Sequence, residues 1–343
     1  MNVRRSISFI GRKKIAKLLG SLFMLIMIIL GFVLAYPISI QELFQNEERN
    51  NFSIIIFGDV HHGEKEPWHD TVFEEIVNEI RSKRPDFSVI TGDMISAEDD
   101  NTKNCTKYYG YILGKMKSTT RAWYAVEGNH DVETEEGRLG FKKYISEREY
   151  FAVDKGDILF VFLSTEIEGE EGFVGDTQLD WLETVLKNST EKYKFIFLHR
   201  PPFDYSSPDV YPNGHGWLNL SLRDRFSDLV SETNVTAVFS GHQHMYRHKV
   251  VGNVHYITTG AAGGLYNSSQ GHYGKDGDFD GEIREVYVNE TRYQIPTTSM
   301  VTQGVFYNYI RLEITDFGPE VSVYRADAPF NGSQFYLYER FRL

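Results

Sequence analysis

Five short blocks of this chain carry residue types that bind cations. They are Asp59-Val60-His61, Gly92-Asp93, Glu127-Gly128-Asn129-His130-Asp131, His199-Arg200-Pro201-Pro202 and Gly241-His242-Gln243-His244. Imidazole suits zinc, iron and similar ions and carboxylate suits harder ones, while one carboxylate can bridge two cations and hold them roughly 3.5 to 4 Å apart. Asp93 is the candidate bridge. A metal pair generates a hydroxide near neutral pH and clamps phosphate oxygens, so the chemistry this set of side chains suits is hydrolysis of a phosphate ester. Each block alone is a weak signal, since Gly-Asp is a common turn and a strand-end Asp followed by a His is common by chance. The order of all five, and their shared position, carries the reading.

That shared position is the end of an apolar run. Ser53-Ile54-Ile55-Ile56-Phe57 precedes Asp59, Phe87-Ser88-Val89-Ile90-Thr91 precedes Asp93, and Ala122-Trp123-Tyr124-Ala125-Val126 precedes Asn129. Phe195-Ile196-Phe197-Leu198 delivers His199, and Val235-Thr236-Ala237-Val238-Phe239 delivers His242 and His244. Such runs read as strands buried on both faces. Between the first two, Val72, Phe73, Ile76, Val77 and Ile80 recur at helical spacing behind Asp70 as N-cap, and Pro85 stops the run. A strand-helix-strand unit implies a parallel sheet, which places ligands at the carboxyl ends of its strands. Further along, Asp154-Lys155-Gly156-Asp157 signals a hairpin between Tyr150-Phe151-Ala152-Val153 and the run from Ile158 to Leu163. Helices are expected around Leu179, Leu182, Val185 and Leu186 and around Phe226, Leu229 and Val230, and β structure over 250–259, 305–313, 321–325 and 335–341. The expected fold is α/β: two mixed sheets packed face to face with helices outside.

The ordered series Asp59-x-His61, Gly92-Asp93, Gly128-Asn129-His130-Asp131, His199 and Gly241-His242-x-His244 resembles the calcineurin-like metallophosphoesterase superfamily over about residues 53–263. The resemblance implies a four-layer α/β/β/α sandwich and two divalent metal ions, Mn, Zn or Fe. It places one ion on Asp59, His61, Asp93 and His244 and the other on Asp93, Asn129, His199 and His242. It further implies a metal-bridging hydroxide as nucleophile, His130 as the histidine facing the leaving group, and Asp131 as its orienting carboxylate. Substrate-side candidates are Arg200 and His215, the latter in a Gly/Pro-rich loop where the purple acid phosphatase branch places a histidine. That branch has a tyrosine three residues after the bridging Asp, where this chain has Ser96. A tyrosinate-bound ferric ion is therefore disfavoured.

Other motifs read more plainly. His62, His69, His248, His255 and His272 have no companion block and are expected as surface or satisfied core residues. Asp276-Gly277-Asp278-Phe279-Asp280-Gly281 opens like a calcium loop, but its twelfth position is Tyr287, so it reads as an acidic surface loop. One cysteine, Cys105, excludes an intramolecular disulfide.

The 343 residues, 41% of them hydrophobic, have ordinary globular composition, with a formal charge of −12. Arg4, Arg5, Arg12, Lys13, Lys14 and Lys17 precede every acidic residue, so the remainder carries 30 basic against 48 acidic side chains. A body that acidic repels nucleic-acid phosphates, and no nucleic-acid partner is expected. The expected organisation is a cytoplasmic basic segment (1–17), a transmembrane signal anchor (18–40), a linker (41–52) and a metallophosphoesterase domain (53–343). The uncharged run from Leu18 to Tyr36 is long enough to span a membrane, and the basic residues before it place the body outside the cytoplasm. A cleaved signal peptide ending near Ala35 is the competing reading. Sequons at Asn51, Asn104, Asn188, Asn219, Asn234, Asn267, Asn289 and Asn331 favour the exterior. The partners expected are a phosphate-ester substrate, mono- or diester, and the membrane; a catalytically silent extracellular binding module on the same fold is the rival.

Overall fold

The structure, a computed structural model, describes residues 52–63, 68–96, 104–119, 122–203, 217, 219–264, 283–288, 291–296, 301–304, 306–327 and 334–343. The anchor at 18–40 with its flanks, His215, His272, the acidic loop at 276–281 and the sequons at Asn51, Asn267, Asn289 and Asn331 lie outside the described residues. Among the described residues no helix is long and apolar enough to cross a membrane.

The first half builds β1 (Phe52–Phe57), α1 (Trp68–Lys83), β2 (Phe87–Ile90), α2 (Cys105–Lys117), β3 (Ala122–Ala125), α3 (Asn129–Val132) and α4 (Glu135–Tyr144). There follow β4 (Phe151–Asp154), β5 (Ile158–Phe162), α5 (Asp176–Asn188), β6 (Tyr193–Phe197), α6 (Leu220–Glu232), β7 (Ala237–Ser240), β8 (Tyr246–Val251) and β9 (Val254–Thr259). The chain closes with β10 (Ile283–Val288), β11 (Thr291–Pro296), β12 (Val301–Gly304), β13 (Tyr307–Thr315), β14 (Gly318–Ala326) and β15 (Tyr336–Arg342).

Two mixed sheets result. The first has six strands in the order β15-β14-β13-β1-β2-β3, and the second seven in the order β12-β8-β9-β7-β6-β5-β4, with β10 and β11 forming a separate pair. β1, β2 and β3 are parallel, as are β5, β6, β7 and β9, while the remaining strands of the two sheets pair antiparallel.

Strand periodicity sorts the core into layers. On β1, Ile54 and Ile56 join Phe160, Phe162, Phe195, Phe197 and Phe239 of the second sheet, so this cluster lies between the sheets. Ile55 and Phe57 turn the other way, against Val72, Phe73 and Ile76 of α1 and Tyr109, Ile112 and Met116 of α2. The opposite faces of the second sheet, Leu159, Val161, Ile196 and Val238, meet Leu179, Leu182 and Leu186 of α5 and Phe226, Leu229 and Val230 of α6. The layer order is helix, sheet, sheet, helix. Each fully buried Phe or Leu contributes about 1.5–3 kcal/mol, so the strands are held mainly by what their faces bury.

One expectation from the sequence is corrected and two helices are added. α1 begins at Trp68, two residues before Asp70, which therefore sits in the first turn and binds His62 Nδ1 at 2.6 Å instead of capping the helix. α2 and α4 were not expected: Tyr108, Tyr109, Gly110 and Gly114 are weak helix formers, and the packing of Tyr109, Ile112 and Met116 overrides them. α4 contains two glycines and starts on a cap, with Thr134 Oγ1 accepting from the Gly137 amide at 3.2 Å.

Candidate metal centre

All five blocks lie just past the carboxyl ends of parallel strands: Asp59 and His61 after β1, Asp93 after β2, Asn129 after β3, His199 after β6, and His242 and His244 after β7. Main-chain bonds lace these loops together. The Asp59 amide donates to the Gly92 carbonyl at 3.0 Å, that of His61 to Asp93 at 3.0 Å, and that of Gly241 to His199 at 2.9 Å. Asp59 and Asp93 also tie the loops through their side chains. Asp59 Oδ1 accepts from the His242 amide at 2.9 Å, and Asp93 Oδ1 from the His130 amide at 2.8 Å.

The backbone itself marks the place. Asp59 (φ 60°), His61 (φ 53°), Asp93 (φ 49°) and His242 (φ 69°) hold left-handed conformations, and among the described non-glycine residues only Arg84 and Asn234 share them. Such strain persists where surrounding structure over-determines it, and it turns these side chains inward off their strands. Gly92 (φ +95°) lets the loop pass His199, whose Nδ1 would lie 2.4 Å from a Cβ added there.

Two ligand groups follow, sharing Asp93: Asp59, His61, Asp93 and His244, and Asp93, His199 and His242. In the first, His61 Nε2 and His244 Nε2 are 3.0 Å apart, Asp93 Oδ2 is 3.6 Å from His61 Nε2, and Asp59 Oδ1 is 3.4 Å from His244 Nε2. In the second, His199 Nε2 lies 3.2 Å from Asp93 Oδ2 and 3.1 Å from Asn129 Oδ1.

The donor set fits cations. His199 Nδ1 donates to the Thr91 carbonyl at 2.8 Å, which leaves the neutral ring with a lone pair on Nε2. That lone pair points at two oxygens that are acceptors as well, and Asp93 Oδ2 is buried with no aligned hydrogen bond. Three electron-rich atoms converging in a buried place are satisfied by a positive charge, either a proton or a metal ion. In the protein alone the proton takes that part. Burial disfavours imidazolium, yet Asp93 overrides it and pushes His199 up to about 10. Burial likewise works to raise Asp93, but the imidazoles of His199, His130 and His61 outweigh it and hold the carboxyl well below its ordinary range. Asp59 moves the other way, raised chiefly by burial.

His130 lies beside these groups without entering either. Its ring is 4.8 Å from that of His61, is about a quarter exposed, and has Nδ1 3.3 Å from Glu133 Oε2. Asp131, expected to orient His130, is held by main-chain amides. Asp131 Oδ1 accepts from the Met94 and Ile95 amides at 3.1 and 3.2 Å and Oδ2 from Gly128 at 3.0 Å, so it splices the Asp93 loop to the Asn129 loop.

Arg200 reaches the second group, with Nη1 3.1 Å from His242 Nε2. Its partner, buried Glu166, was not singled out from the sequence, although it follows the apolar run of β5 as the other blocks follow theirs. Ser96, at the tyrosine position, is buried, with its amide bonded to the His62 carbonyl at 3.0 Å. His62 stacks on Tyr111 and His69 stands edge-on to His61 at 6.3 Å; neither belongs to a ligand group.

Comparison with known proteins bears on the family and the fold. A family profile described as calcineurin-like phosphoesterase matches residues 52–246. A 3',5'-cyclic-nucleotide phosphodiesterase of Nostoc sp. is 26% identical over 54% of this chain and 66% of its own, and a glycerophosphodiester phosphodiesterase of Enterobacter lignolyticus 25% identical over 47% and 57%. The matched region thus spans less than two thirds of these relatives. Among solved structures, a purple acid phosphatase from yellow lupin seeds superposes with TM-score 0.59 at 13% identity, over 85% of this chain and 53% of its own. A dimetal phosphatase from Danio rerio does so with TM-score 0.54 at 12% identity, over 79% and 95%. These two likenesses are of fold.

Proposed function

This chain belongs to the calcineurin-like phosphoesterase family, and we propose that it hydrolyses phosphate esters with a dinuclear metal site built from the two ligand groups. The observation that carries the reading is the convergence of His199 Nε2, Asn129 Oδ1 and Asp93 Oδ2, which asks for a cation, next to a second ligand group that shares the same carboxylate. Asp59, His61, Asp93 and His244 would hold one divalent ion, and Asp93, Asn129, His199 and His242 the other, with Mn, Zn or Fe matching the mixed imidazole and carboxylate set. When bound, such a pair supplies a nucleophile at neutral pH and neutralises phosphate oxygens.

The protein's own groups do the rest. Asp131, bound to three amides, fixes the loops that aim Asp93 and His130. His130, partly exposed and beside Glu133, is placed to hand a proton to the departing oxygen. The Nδ1–H bond of His199 to Thr91 fixes the ring that presents Nε2.

The proposed location is outside the cytoplasm, held by the segment at 18–40. The charge asymmetry of the first 40 residues supports it, as do the sequons; of those described, Asn188 and Asn234 are exposed and Asn104 and Asn219 half-buried at helix starts. Resistance of the protein to carbonate extraction from membranes tests the anchor, and a soluble mature form beginning near Tyr36 contradicts it.

The catalytic reading is tested with p-nitrophenyl phosphate and bis-p-nitrophenyl phosphate on chelator-stripped protein given Mn or Zn. Turnover that appears only with added metal is expected. No turnover of either ester with two ions bound would make the protein a binding module on this fold.

A further inference from the structure

Arg200 is placed more rigidly than a surface arginine. Its amide donates to Thr165 Oγ1 at 3.2 Å and its carbonyl accepts from Trp217 Nε1 at 2.9 Å, so its backbone is held from both sides. Its side chain keeps one edge for Glu166, with Nε 2.7 Å from Oε1 and Nη2 3.4 Å from Oε2. Glu166 is only 1% exposed and is itself fixed: Oε1 accepts from Thr165 Oγ1 at 2.9 Å, the amide donates to Ser164 Oγ at 3.0 Å, and the carbonyl accepts from Arg138 Nη1 at 3.0 Å. A buried carboxylate gripping a guanidinium at two points sets direction as well as charge.

The direction is toward the second ligand group. The free edge of the fork, Nη1, lies 3.1 Å from His242 Nε2. Nη1 can only donate, so it uses the lone pair of that nitrogen. A lone pair cannot serve a cation and an N–H at once. An ion held by the second group through this nitrogen would release Nη1 and leave the contacts of Nε and Nη2 to Glu166 in place. The result would be a charged donor with no acceptor among the described residues, beside the place where a phosphate would bind, in a chain body whose net charge repels anions.

Resting on the phosphoesterase reading, we propose that Arg200, aimed by Glu166, binds the third non-bridging oxygen of a phosphate monoester and gives the site a preference for monoester dianions over diesters. A monoester carries three such oxygens and nearly two charges near neutral pH, and a diester two oxygens and one charge. A pair of cations can occupy two oxygens of either. Only the monoester has a third left for a guanidinium. Glu166 is a positioning residue in this account, since it touches Arg200 and not the substrate.

The test is binding, which does not depend on turnover. Calorimetric affinities of Mn-loaded protein for inorganic phosphate and for dimethyl phosphate are compared in wild type, Arg200→Ala, Arg200→Lys and Glu166→Gln, with metal content measured in each. Arg200→Ala should lower phosphate affinity roughly 10- to 100-fold, the scale of one charge-assisted hydrogen bond, and the ratio of phosphate to dimethyl phosphate affinity by at least about fivefold. Arg200→Lys should restore part of that ratio, because the charge survives and the two-point grip does not. Glu166→Gln should shift the same ratio with metal retained. If Glu166→Gln does not fold, the two Arg200 variants at the partly exposed side chain decide the matter alone. Equal losses on both anions, or none, would overturn the clamp. Failure of wild type to hydrolyse either ester, with the phosphate preference intact, would overturn the hydrolase reading and leave the clamp standing.

Discussion

Two pairs of histidines in this protein look alike by distance and differ in everything else. His61 Nε2 and His244 Nε2 are 3.0 Å apart at the strand ends, and His248 Nε2 and His255 Nδ1 are 2.9 Å apart on β8 and β9. The first pair stands with Asp59 and Asp93, on loops where the backbone turns left-handed. The second lies within regularly paired strands, where His248 faces Ile257 across the ladder and His255 faces Val250. Its rings stack on each other and on Phe341, which is 4.1 Å from His248 at an interplanar angle of 10°. Burial first, and then the neighbouring imidazole, pushes His248 well below its usual range, and burial pushes His255 down to about 4. Two close imidazoles therefore do not make a cation site. Carboxylates that oppose the burial cost and loops that turn side chains to one point are what the strand ends add.

The largest break in this comparison is removal of the shared carboxylate. Asp93→Asn should bring the strand-end histidines close to the condition of His248 and His255, and phosphate-ester hydrolysis should fall by more than about 10³-fold even with excess metal. His61→Ala should be milder and weaken chiefly one of two binding steps in a metal titration.

His130→Ala tests the residue that stands beside the ligands without joining them. Metal and fold should be kept while kcat falls roughly 10² to 10⁴-fold, and the loss should be larger for an alkyl phosphate than for p-nitrophenyl phosphate, whose leaving group needs little protonation. Equal losses on the two would assign His130 to substrate positioning.

The backbone half of the contrast is probed at Gly92. Gly92→Ala introduces a methyl carbon 2.4 Å from His199 Nδ1 at a φ of +95°, so it should cost about 1–3 kcal/mol of stability and weaken the second ion more than the first. Urea unfolding and metal titration read the two effects separately.

The smallest effect belongs to the strand pair. For His248 and His255 the folded-state pKa lies below the unfolded value of about 6.5, so the folded protein binds fewer protons and stability rises with pH between about 4 and 6.5. His248→Gln should flatten that slope, by about 1–3 kcal/mol between pH 7.5 and 4.5 in urea unfolding, without changing metal content. A slope equal to that of wild type would place the acid sensitivity elsewhere.

The same contrast explains what could be read before the structure. That Asp59, His61, Asp93, Asn129, His199, His242 and His244 come together was legible because residue type and strand-end position are both written in the sequence, and the apolar runs that place them form the observed strands. The amide partners of Asp131 were not legible, because the nearness of Met94 and Ile95 to it is a matter of how two loops cross. Glu166 was missed because its meaning depends on Arg200, 34 residues on. α2 was missed because its helical face contains Tyr109, which gains its place only through contacts that include a hydrogen bond to the Asp131 carbonyl at 3.0 Å. Local pattern reports periodicity and end position; it does not report which loop a side chain will splice.

Two ligand groups that share Asp93 should each hold an ion. Metal stoichiometry of full-length protein, stripped with chelator, reloaded with Mn or Zn and freed of excess, tests it most directly when Asp93→Asn is measured beside wild type. Two equivalents in wild type and less than one in the variant are expected, because loss of a bridging charge weakens both groups at once. Two full equivalents retained by Asp93→Asn would contradict it.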